Sequence, residues 1–267
     1  MDMRTNETEY KIYQVNAFTD TLFEGNPACV VPLKEWLPDE VLLKIAKENA
    51  VAETAYFIDH KDYFHLRWFT PDIEIDLCGH ATLAAAHIIQ SELNATDEIK
   101  FKTLSGDLFV RCENDLYYLN LPSRKPVNSI LPNKIKSALS IQPEYILKSR
   151  DYLLVYNNEQ EIKALKIDRS SFDEINLGHG GVIATAKGDD VDFVSRFFTP
   201  QATILEDPVT GSAHCSLIPF WATLLSKEKL IASQYSERGG KLYCEDKGDR
   251  VIVGGKAITY SKGVFRI

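Results

Sequence analysis

The chain has 267 residues, of which 45% are hydrophobic and 25% charged, a composition that excludes a disordered or collagen-like protein. Its 38 acidic residues outnumber its 30 basic ones and give a formal net charge of −8 at pH 7. A chain this acidic has no overall attraction for nucleic acid or for an anionic membrane surface, so neither is expected as a partner. Five cysteines without CxxC spacing favour reduced thiols in a cytoplasmic protein, and no apolar run is long enough to cross a bilayer.

The first half of the chain combines predicted strands with two helices of different character. Strands are predicted at 11–18 and 29–33, with a turn at 24–27 between them, and an amphipathic helix follows at 38–49. Further strands are predicted, in chain order, at 54–58, 64–69, 98–103, 106–112 and 116–121. The segment 81–89 is apolar on nearly all faces, which is typical of a helix surrounded by protein.

The second half shows a similar succession of elements. Strands are predicted at 152–156, 193–198, 241–245 and 250–255. A second apolar helix is predicted at 216–225, in which Pro219 is expected either in the first turn or at a kink. Two curved sheets, each wrapped around one buried helix, satisfy these patterns, and the active cleft is then expected where the two halves meet.

A short motif occurs twice, as RWFTP at 67–71 and RFFTP at 196–200. Each copy is followed by a glycine turn, at 78–82 and at 210–214, and then by one of the two predicted buried helices. Coincidence can explain a single five-residue match, but it is a poorer explanation for the same turn and helix after both copies. The sequence therefore predicts an internal duplication.

The two glycine turns are the first candidates for ligand binding. If both turns begin buried helices, their free backbone N–H groups form an anion site, because a helix N-terminus favours negative charge. Gly79 and Gly211 allow a ligand to approach the backbone closely. We therefore expect a carboxylate-binding cradle that needs no basic side chain.

Three side chains near these turns are candidates for proton transfer. Glu53 comes just before an apolar strand, where partial burial would suit it to act as a general base; a solvated glutamate at a strand entry is the alternative. His80 lies in the first turn of the helix, where the helix dipole is expected to lower its pKa and keep the imidazole neutral, unless it only caps the helix or fills the core. Asp207 precedes the second turn, and its alternative role is to stabilise the loop.

Cys78 is a further candidate, as a thiolate of low pKa at a helix start, although a buried cysteine is the commoner outcome. A racemase with two thiols needs a second cysteine at the matching position, where this chain has Thr210. The six histidines have no metal-ligand spacing, and no nucleotide-binding motif is present, so neither a metal nor a cofactor is expected.

Taken together, several motifs give the chain a family resemblance. They are Gly25-Asn26-Pro27, Ala52-Glu53-Thr54-Ala55-Tyr56-Phe57, Phe69-Thr70-Pro71, Leu77-Cys78-Gly79-His80-Ala81-Thr82, Phe198-Thr199-Pro200, Glu206-Asp207-Pro208-Val209-Thr210-Gly211-Ser212-Ala213-His214 and Arg238-Gly239-Gly240. In this order they span nearly the whole chain, and the chain resembles the PhzF family of phenazine-biosynthesis-like proteins, within the diaminopimelate epimerase fold.

The resemblance implies an α/β (α+β) fold of two pseudo-symmetric halves, each a mixed or antiparallel sheet barrel around a central helix. The halves are predicted as 1–124 and 125–267, and the last strand is allowed to return to the first half. The resemblance also implies a homodimer and an isomerase without metal or nucleotide, such as one that moves a proton across a cyclohexadiene acid.

Site residues follow from the same resemblance. Glu53 matches the general acid/base, and His80 and Asp207 match catalytic residues that bind and polarise the substrate. The residues assigned to substrate binding are Asn26, Gly79, Gly211 and Ser212.

Three hypotheses follow for the activity. The first is a cofactor-independent isomerase that uses Glu53 on a small carboxylic acid. The second is a dehydratase or epimerase of an amino or imino acid, in which Cys78 acts as the base opposite Thr210. The third is a binding protein without enzymatic activity on the same scaffold.

Overall fold

The computed structural model describes residues 8–93, 98–178 and 180–267, which group into two units. Of these residues, those up to Leu22 and those within Pro27–Leu119 and Lys256–Ile267 form unit 1. Phe23–Asn26 and the described residues of Asn120–Gly255 form unit 2. Among the described residues, no helix is both long enough and apolar enough to span a membrane.

Unit 1 contains a mixed sheet and two helices. In chain order, the elements are β1 (Glu9–Ala17), β2 (Asn26–Leu33), α1 (Asp39–Asn49), β3 (Glu53–Asp59), β4 (Phe64–Phe69), β5 (Glu74–Ile75), α2 (Gly79–Leu93), β6 (Glu98–Thr103), β7 (Gly106–Glu113) and β8 (Leu116–Pro122). Strand β2 is parallel to β3, β3 is antiparallel to β4, and β4 is parallel to β6. Strands β6, β7 and β8 then pair antiparallel in succession.

Unit 2 follows along the chain. Its elements are β9 (Val127–Asn128), α3 (Asn133–Ala138), β10 (Tyr145–Lys148), β11 (Tyr152–Val155), α4 (Glu159–Ala164), α5 (Arg169–Phe172), β12 (Val182–Lys187), β13 (Phe193–Phe198), a 3-10 turn (Gly211–Ala213), α6 (His214–Leu225), β14 (Lys229–Gln234), β15 (Gly240–Asp246) and β16 (Arg250–Gly255). The last strand, β17 (Ala257–Arg266), belongs to unit 1 and pairs antiparallel with β1.

The strands of the two units share one pairing scheme. Strand β11 is parallel to β12, β12 is antiparallel to β13, β13 is parallel to β14, and β14, β15 and β16 pair antiparallel in succession. This is the order of β2, β3, β4, β6, β7 and β8 in unit 1. The register agrees as well, because the first residues of β4 and β13, Phe64 and Phe193, each pair with the parallel strand that follows the buried helix. The pairing supports the predicted duplication.

The arginine of the repeated motif makes the same contacts in each unit. Arg67 donates two hydrogen bonds to Glu74 at 2.7 and 2.6 Å, and Arg196 donates two to Glu206 at 2.7 and 2.8 Å. Each guanidinium also lies over the phenylalanine two residues later in its own strand, at 5.1 Å in unit 1 and 4.9 Å in unit 2. The motif therefore fixes the loop that leads from each strand towards its buried helix.

Each sheet packs on a helix that is apolar on nearly all sides, as predicted. In α2 every residue from Gly79 to Ala86 is buried, and the helix packs against β1, β3 and β17. Helix α6 is buried from His214 to Pro219 and packs against β14, β15 and β16. Because both helices lack a polar face, their stability depends on burial against the sheets.

Two local predictions need correction. The predicted turn at 24–27 is shorter than expected, because Asn26 already belongs to β2. Pro219 lies in the second turn of α6, not in the first, since the helix begins at His214. A proline cannot donate to the carbonyl four residues earlier, and that carbonyl, on Cys215, accepts a hydrogen bond from the Arg124 N–H at 2.8 Å instead.

Gly181, directly before β12, offers a test of this packing. A Cβ added at Gly181 would lie 2.3 Å from Cζ of Phe197 and 2.9 Å from the carbonyl oxygen of Phe198. We expect Gly181→Ala to lower the free energy of unfolding by about 1–3 kcal/mol, because the core must shift to accept the methyl group. Gly263→Ala is the matched control, since its Cβ would meet nothing within 4 Å. Urea unfolding of both variants measures the difference, and an unchanged Gly181→Ala would contradict this packing.

Candidate active site

Unit 1 brings three of the predicted site residues together. Glu53 is the first residue of β3, and His80 is the second residue of α2, directly after Cys78 and Gly79. The Oε2 atom of Glu53 lies 2.9 Å from Nε2 of His80, and the Sγ atom of Cys78 lies 3.5 Å from Nδ1 on the other side of the ring. The side chains of Glu53 and His80 are 16% and 4% exposed. The predicted general base and the predicted polarising histidine are therefore in direct contact.

This contact leaves hydrogen-bonding capacity unused. The contact between Glu53 Oε2 and His80 Nε2 does not have the geometry of a hydrogen bond. Neither atom has a hydrogen-bond partner within the described ranges. Buried polar atoms without partners are costly, and in native proteins they concentrate where a ligand or an ordered water completes the bonding. The pair is therefore chemically ready to accept a polar ligand.

The charge state of His80 differs from the expectation drawn from the helix dipole. Burial by itself would lower the pKa of His80, but its contacts with the Cys78 sulfur and the Glu53 carboxyl group outweigh burial and hold this pKa well above its ordinary value. The His80 pKa is therefore shifted in the direction opposite to the predicted one, which favours the imidazolium over the neutral imidazole. The ring therefore lies as a positive partner beside the predicted general base, Glu53.

Cys78 also departs from one of its predicted roles. Burial raises the pKa of the Cys78 thiol, and the negative charge of Glu53 raises it further. The thiol is therefore protonated at neutral pH, and the prediction of a low-pKa thiolate is wrong. A helix start alone does not activate a cysteine when it is buried beside a carboxylate.

Glu53, Cys78 and His80 are also a set of donors that could hold a metal ion, since their ligand atoms lie within 4.8 Å of one another. The arrangement nevertheless differs from a chelate. Glu53 contacts one ring nitrogen and Cys78 contacts the other, and one ion cannot bind both nitrogens of the same imidazole. As placed, the three side chains form a line of contacts through the imidazole ring.

Unit 2 brings a second group together around Asp207. The Nδ2 group of Asn26 donates to Oδ1 of Asp207 at 2.7 Å and to the carbonyl of Val209 at 2.9 Å, and the hydroxyl of Thr210 donates to Oδ2 of Asp207. Asn26 is fully buried. Both oxygens of Asp207 therefore accept bonds that hold its loop, and Asn26 serves to orient Asp207.

A buried glutamine that the sequence did not single out completes this group. Gln234, at the end of β14, is 1% exposed. Its Oε1 accepts from the Thr210 N–H at 2.8 Å, while its Nε2 donates to the Asp207 carbonyl at 2.9 Å and to the Thr210 hydroxyl at 3.1 Å. Gln234 belongs to no motif and lies 24 residues beyond Thr210. Only its hydrogen bonds in the folded chain identify it as part of this group.

The two turns hold their helices in a similar way. In unit 1 the Thr82 hydroxyl donates to the Cys78 carbonyl, and in unit 2 Nδ1 of His214 lies 2.9 Å from the Thr210 carbonyl. Each side chain thus bonds to the residue four positions earlier. Burial lowers the pKa of His214 to about 4, so its imidazole is neutral at neutral pH and donates from Nδ1.

Ser212 is the place where the predicted cradle needs correction. Its hydroxyl lies 3.1 Å from Nη2 of Arg150, which precedes β11 in the chain. The prediction of a cradle without any basic side chain is therefore wrong for the turn of unit 2. The sequence offered no indication of this contact, because 62 residues separate Arg150 from Ser212.

The acid–base groups of unit 1 have no counterparts in unit 2. Phe69 pairs with Thr54, and its repeat-equivalent Phe198 pairs with Val182, so the position of Glu53 corresponds to that of Gly181. In the same way, the positions of Cys78 and His80 correspond to those of Thr210 and Ser212 in the second turn. The two units therefore share their strands and buried helix, whereas the cluster of Glu53, Cys78 and His80 lies in unit 1.

Comparison with known proteins agrees with this architecture. The family model described as phenazine biosynthesis-like protein, PhzC-PhzF, matches residues 15–263. An uncharacterized isomerase of Pseudomonas aeruginosa is 44% identical over 260 residues, which cover 97% of this chain and all of the relative. The chain therefore belongs to the PhzF family, a family of isomerases.

Solved structures extend the comparison to the fold. A crystal structure of a PhzF family protein from Enterococcus faecalis matches with a TM-score of 0.92 at 42% identity, covering 97% of this chain and 100% of that one. A predicted epimerase of Pseudomonas aeruginosa matches with a TM-score of 0.71 at 15% identity, covering 96% and 99% of the two chains. The second likeness shows that the fold is the epimerase-like fold, which confirms the predicted fold class.

Proposed function

We propose that this isomerase moves a proton on a small carboxylic acid, with Glu53 as the general acid/base. The observation that carries the proposal is the contact between Glu53 and a positively charged His80, in which two buried polar atoms lack a hydrogen-bond partner among the described residues. A carboxylate held beside an imidazolium can accept a proton from carbon and return it elsewhere on the same molecule.

The absence of a repeat-equivalent base favours one-base chemistry. Racemases that use two bases need a second titratable group, and Gly181, Thr210 and Ser212 supply none at the positions equivalent to Glu53, Cys78 and His80. A single base that removes and returns a proton suits migration of a hydrogen along an unsaturated acid. Such a reaction needs neither a metal nor a redox cofactor, and treatment with a chelator is expected to leave it unchanged.

For the substrate we propose a small molecule with a carboxylate. Gly79 and the turn of Gly211 and Ser212 supply small residues at the helix starts, where backbone N–H groups favour an anion. Asp207 is proposed to contact the polar part of the substrate, and Asn26 to hold Asp207 in place. A homodimer stays a prediction of the resemblance, and a cytoplasmic location stays a prediction from the cysteines.

The second candidate uses Cys78 as the base, in an epimerase or dehydratase of an amino or imino acid. Its position at a helix start beside His80 favours it, while the raised pKa of the Cys78 thiol opposes it. The Thr210 hydroxyl, which this candidate places opposite Cys78, already donates to Asp207. A binding protein without activity is the third candidate, and it predicts no turnover of any acid.

Solvent hydrogen exchange tests the proposal across many acids at once, so the substrate need not be identified beforehand. A panel of small unsaturated carboxylic acids, including cyclohexadiene carboxylic acids, is incubated with the protein in deuterated water and followed by mass spectrometry. We expect deuterium to enter one or more of these acids only when the protein is present. If no acid in a broad panel gains deuterium, the binding-protein candidate is favoured over the isomerase.

The Asn26 contacts give a separate prediction. Asn26→Ala removes the donor to the partly buried Asp207 Oδ1 and to the buried Val209 carbonyl. We expect the free energy of unfolding to fall by about 1–3 kcal/mol, because a fully buried donor and its two hydrogen bonds are lost. Asn128→Ala, on the exposed strand β9, is the control and should change it by less than about 0.5 kcal/mol. Urea unfolding measures both, and equal effects of the two variants would contradict the assigned role.

A further inference from the structure

Arg150 is fixed in one orientation by a buried carboxylate. Its Nε lies 3.2 Å from each carboxylate oxygen of Asp151, and its Nη2 lies 3.0 Å from Oδ2. The Asp151 side chain is 0% exposed, and its Oδ1 also accepts from the Gly181 N–H at 2.8 Å. Asp151 therefore holds the guanidinium by the edge formed by Nε and Nη2, and it is itself held by the backbone.

The Nη1 group of the guanidinium is free for a ligand. Nη2 also donates to the Ser212 hydroxyl at 3.1 Å, and Nη1 has no hydrogen-bond partner among the residues that the structure describes. The Arg150 side chain is 26% exposed, so that solutes can reach it. A guanidinium presents its N–H groups as a planar fork that fits the two oxygens of a carboxylate. Both Nη2 hydrogens are directed at Asp151 and Ser212, so Nη1 is the part of this fork left to donate to a carboxylate beside Ser212.

We propose that Arg150 binds the carboxylate of the substrate at the turn of Gly211 and Ser212 and so determines specificity for anionic over neutral ligands. The proposal rests on the proposed function for the location of the substrate, but its test does not depend on turnover. Arg150 touches the bound group, while Asp151 is a positioning residue that aligns the fork.

Benzoate and benzamide form a suitable pair of probes, because they have the same ring and similar size and differ in charge. Isothermal titration with each probe measures the dissociation constant for the wild-type chain and for two variants. Arg150→Gln removes the fork but leaves the Asp151 carboxylate buried without its cation, which can destabilise the fold. The double variant Arg150→Gln/Asp151→Asn removes both charges and keeps an acceptor for the Gly181 N–H. Thermal unfolding establishes that each variant is folded.

We expect the wild-type chain to bind benzoate more tightly than benzamide, and the double variant to bind benzoate about 10–100-fold more weakly with little change for benzamide. Arg150→Lys should recover part of the affinity, because it keeps the charge and loses the fork. Arg111→Gln is the control: it removes one positive charge from an exposed arginine paired with Glu113 and should bind benzoate as the wild type does.

Two results would overturn the proposal: a wild-type chain that does not prefer benzoate, or a folded double variant that binds benzoate undiminished. The role of Arg150 in binding and the role of Glu53 in catalysis can be rejected independently of each other. Glu53→Gln should keep its affinity for benzoate even though it loses hydrogen exchange. A loss of benzoate binding on changing Arg150, combined with exchange that persists in Glu53→Gln, would support the anion contact and reject Glu53 as the base.

Discussion

Glu53→Gln should lower the turnover of any acid identified by hydrogen exchange by about 10²–10⁴-fold, the usual contribution of general acid–base catalysis. Glutamine has nearly the same shape as glutamate and keeps the contact with His80, but it cannot accept and return a proton. The loss should therefore fall on kcat, with KM changed by no more than about twofold. Steady-state kinetics of the purified variant measure both constants.

Glu48→Gln is the matched control for this variant. Glu48 is an exposed residue of α1, so its substitution makes the same change of charge without touching His80. It should retain wild-type turnover. Comparable kcat values for Glu53→Gln and Glu48→Gln would contradict the role of Glu53.

The raised pKa of His80 predicts how stability changes with pH. A histidine whose pKa is higher in the folded than in the unfolded state stabilises the fold fully below its unfolded value, about 6.5. That stabilisation is lost as the pH rises through the folded-state value. The stability advantage of the wild type over His80→Gln should therefore be largest at about pH 6 and shrink towards pH 9. The same variant should lower turnover by about 10–100-fold, because Glu53 loses a charged partner.

His87→Gln, on the same helix, provides a control with the opposite sign. Burial lowers the pKa of His87, so the wild type loses stability as the unfolded state takes up protons below pH about 6.5. The advantage of the wild type over His87→Gln should therefore grow with rising pH. Urea unfolding between about pH 6 and 9 compares the two trends, and parallel trends for the two variants would contradict the assigned charge of His80.

The sequence predicted most elements on which the site depends, because local patterns determine them. The apolar segments 81–89 and 216–225 lie in α2 and α6, and the repeated motif marks β4 and β13. Several elements were not predicted, including β10, β12 and β14. The residues of β14, KLIASQ, give no strong strand signal by themselves, and pairing with β13 and β15 stabilises the strand.

The candidate site was predictable where it follows motifs and unpredictable where it depends on distant contacts. Glu53 and His80 were singled out from their motifs, and the structure brings them together. Arg150 and Gln234 were missed, because they meet the turn of unit 2 only through tertiary packing. The pKa shift of His80 was predicted in the wrong direction, since the helix dipole is a weaker influence than the contacts with Cys78 and Glu53.

Deuterium incorporation into one identified acid, compared among the wild type, Glu53→Gln and Cys78→Ser, distinguishes Glu53 from Cys78 as the base. Cys78→Ser keeps a small hydroxyl where the protonated thiol lies beside His80, and it leaves Glu53 unchanged. We expect the wild type and Cys78→Ser to exchange the substrate hydrogen with solvent, while Glu53→Gln exchanges it at least about 100-fold more slowly. Exchange that persists in Glu53→Gln and disappears in Cys78→Ser would contradict the account and identify the thiol as the base.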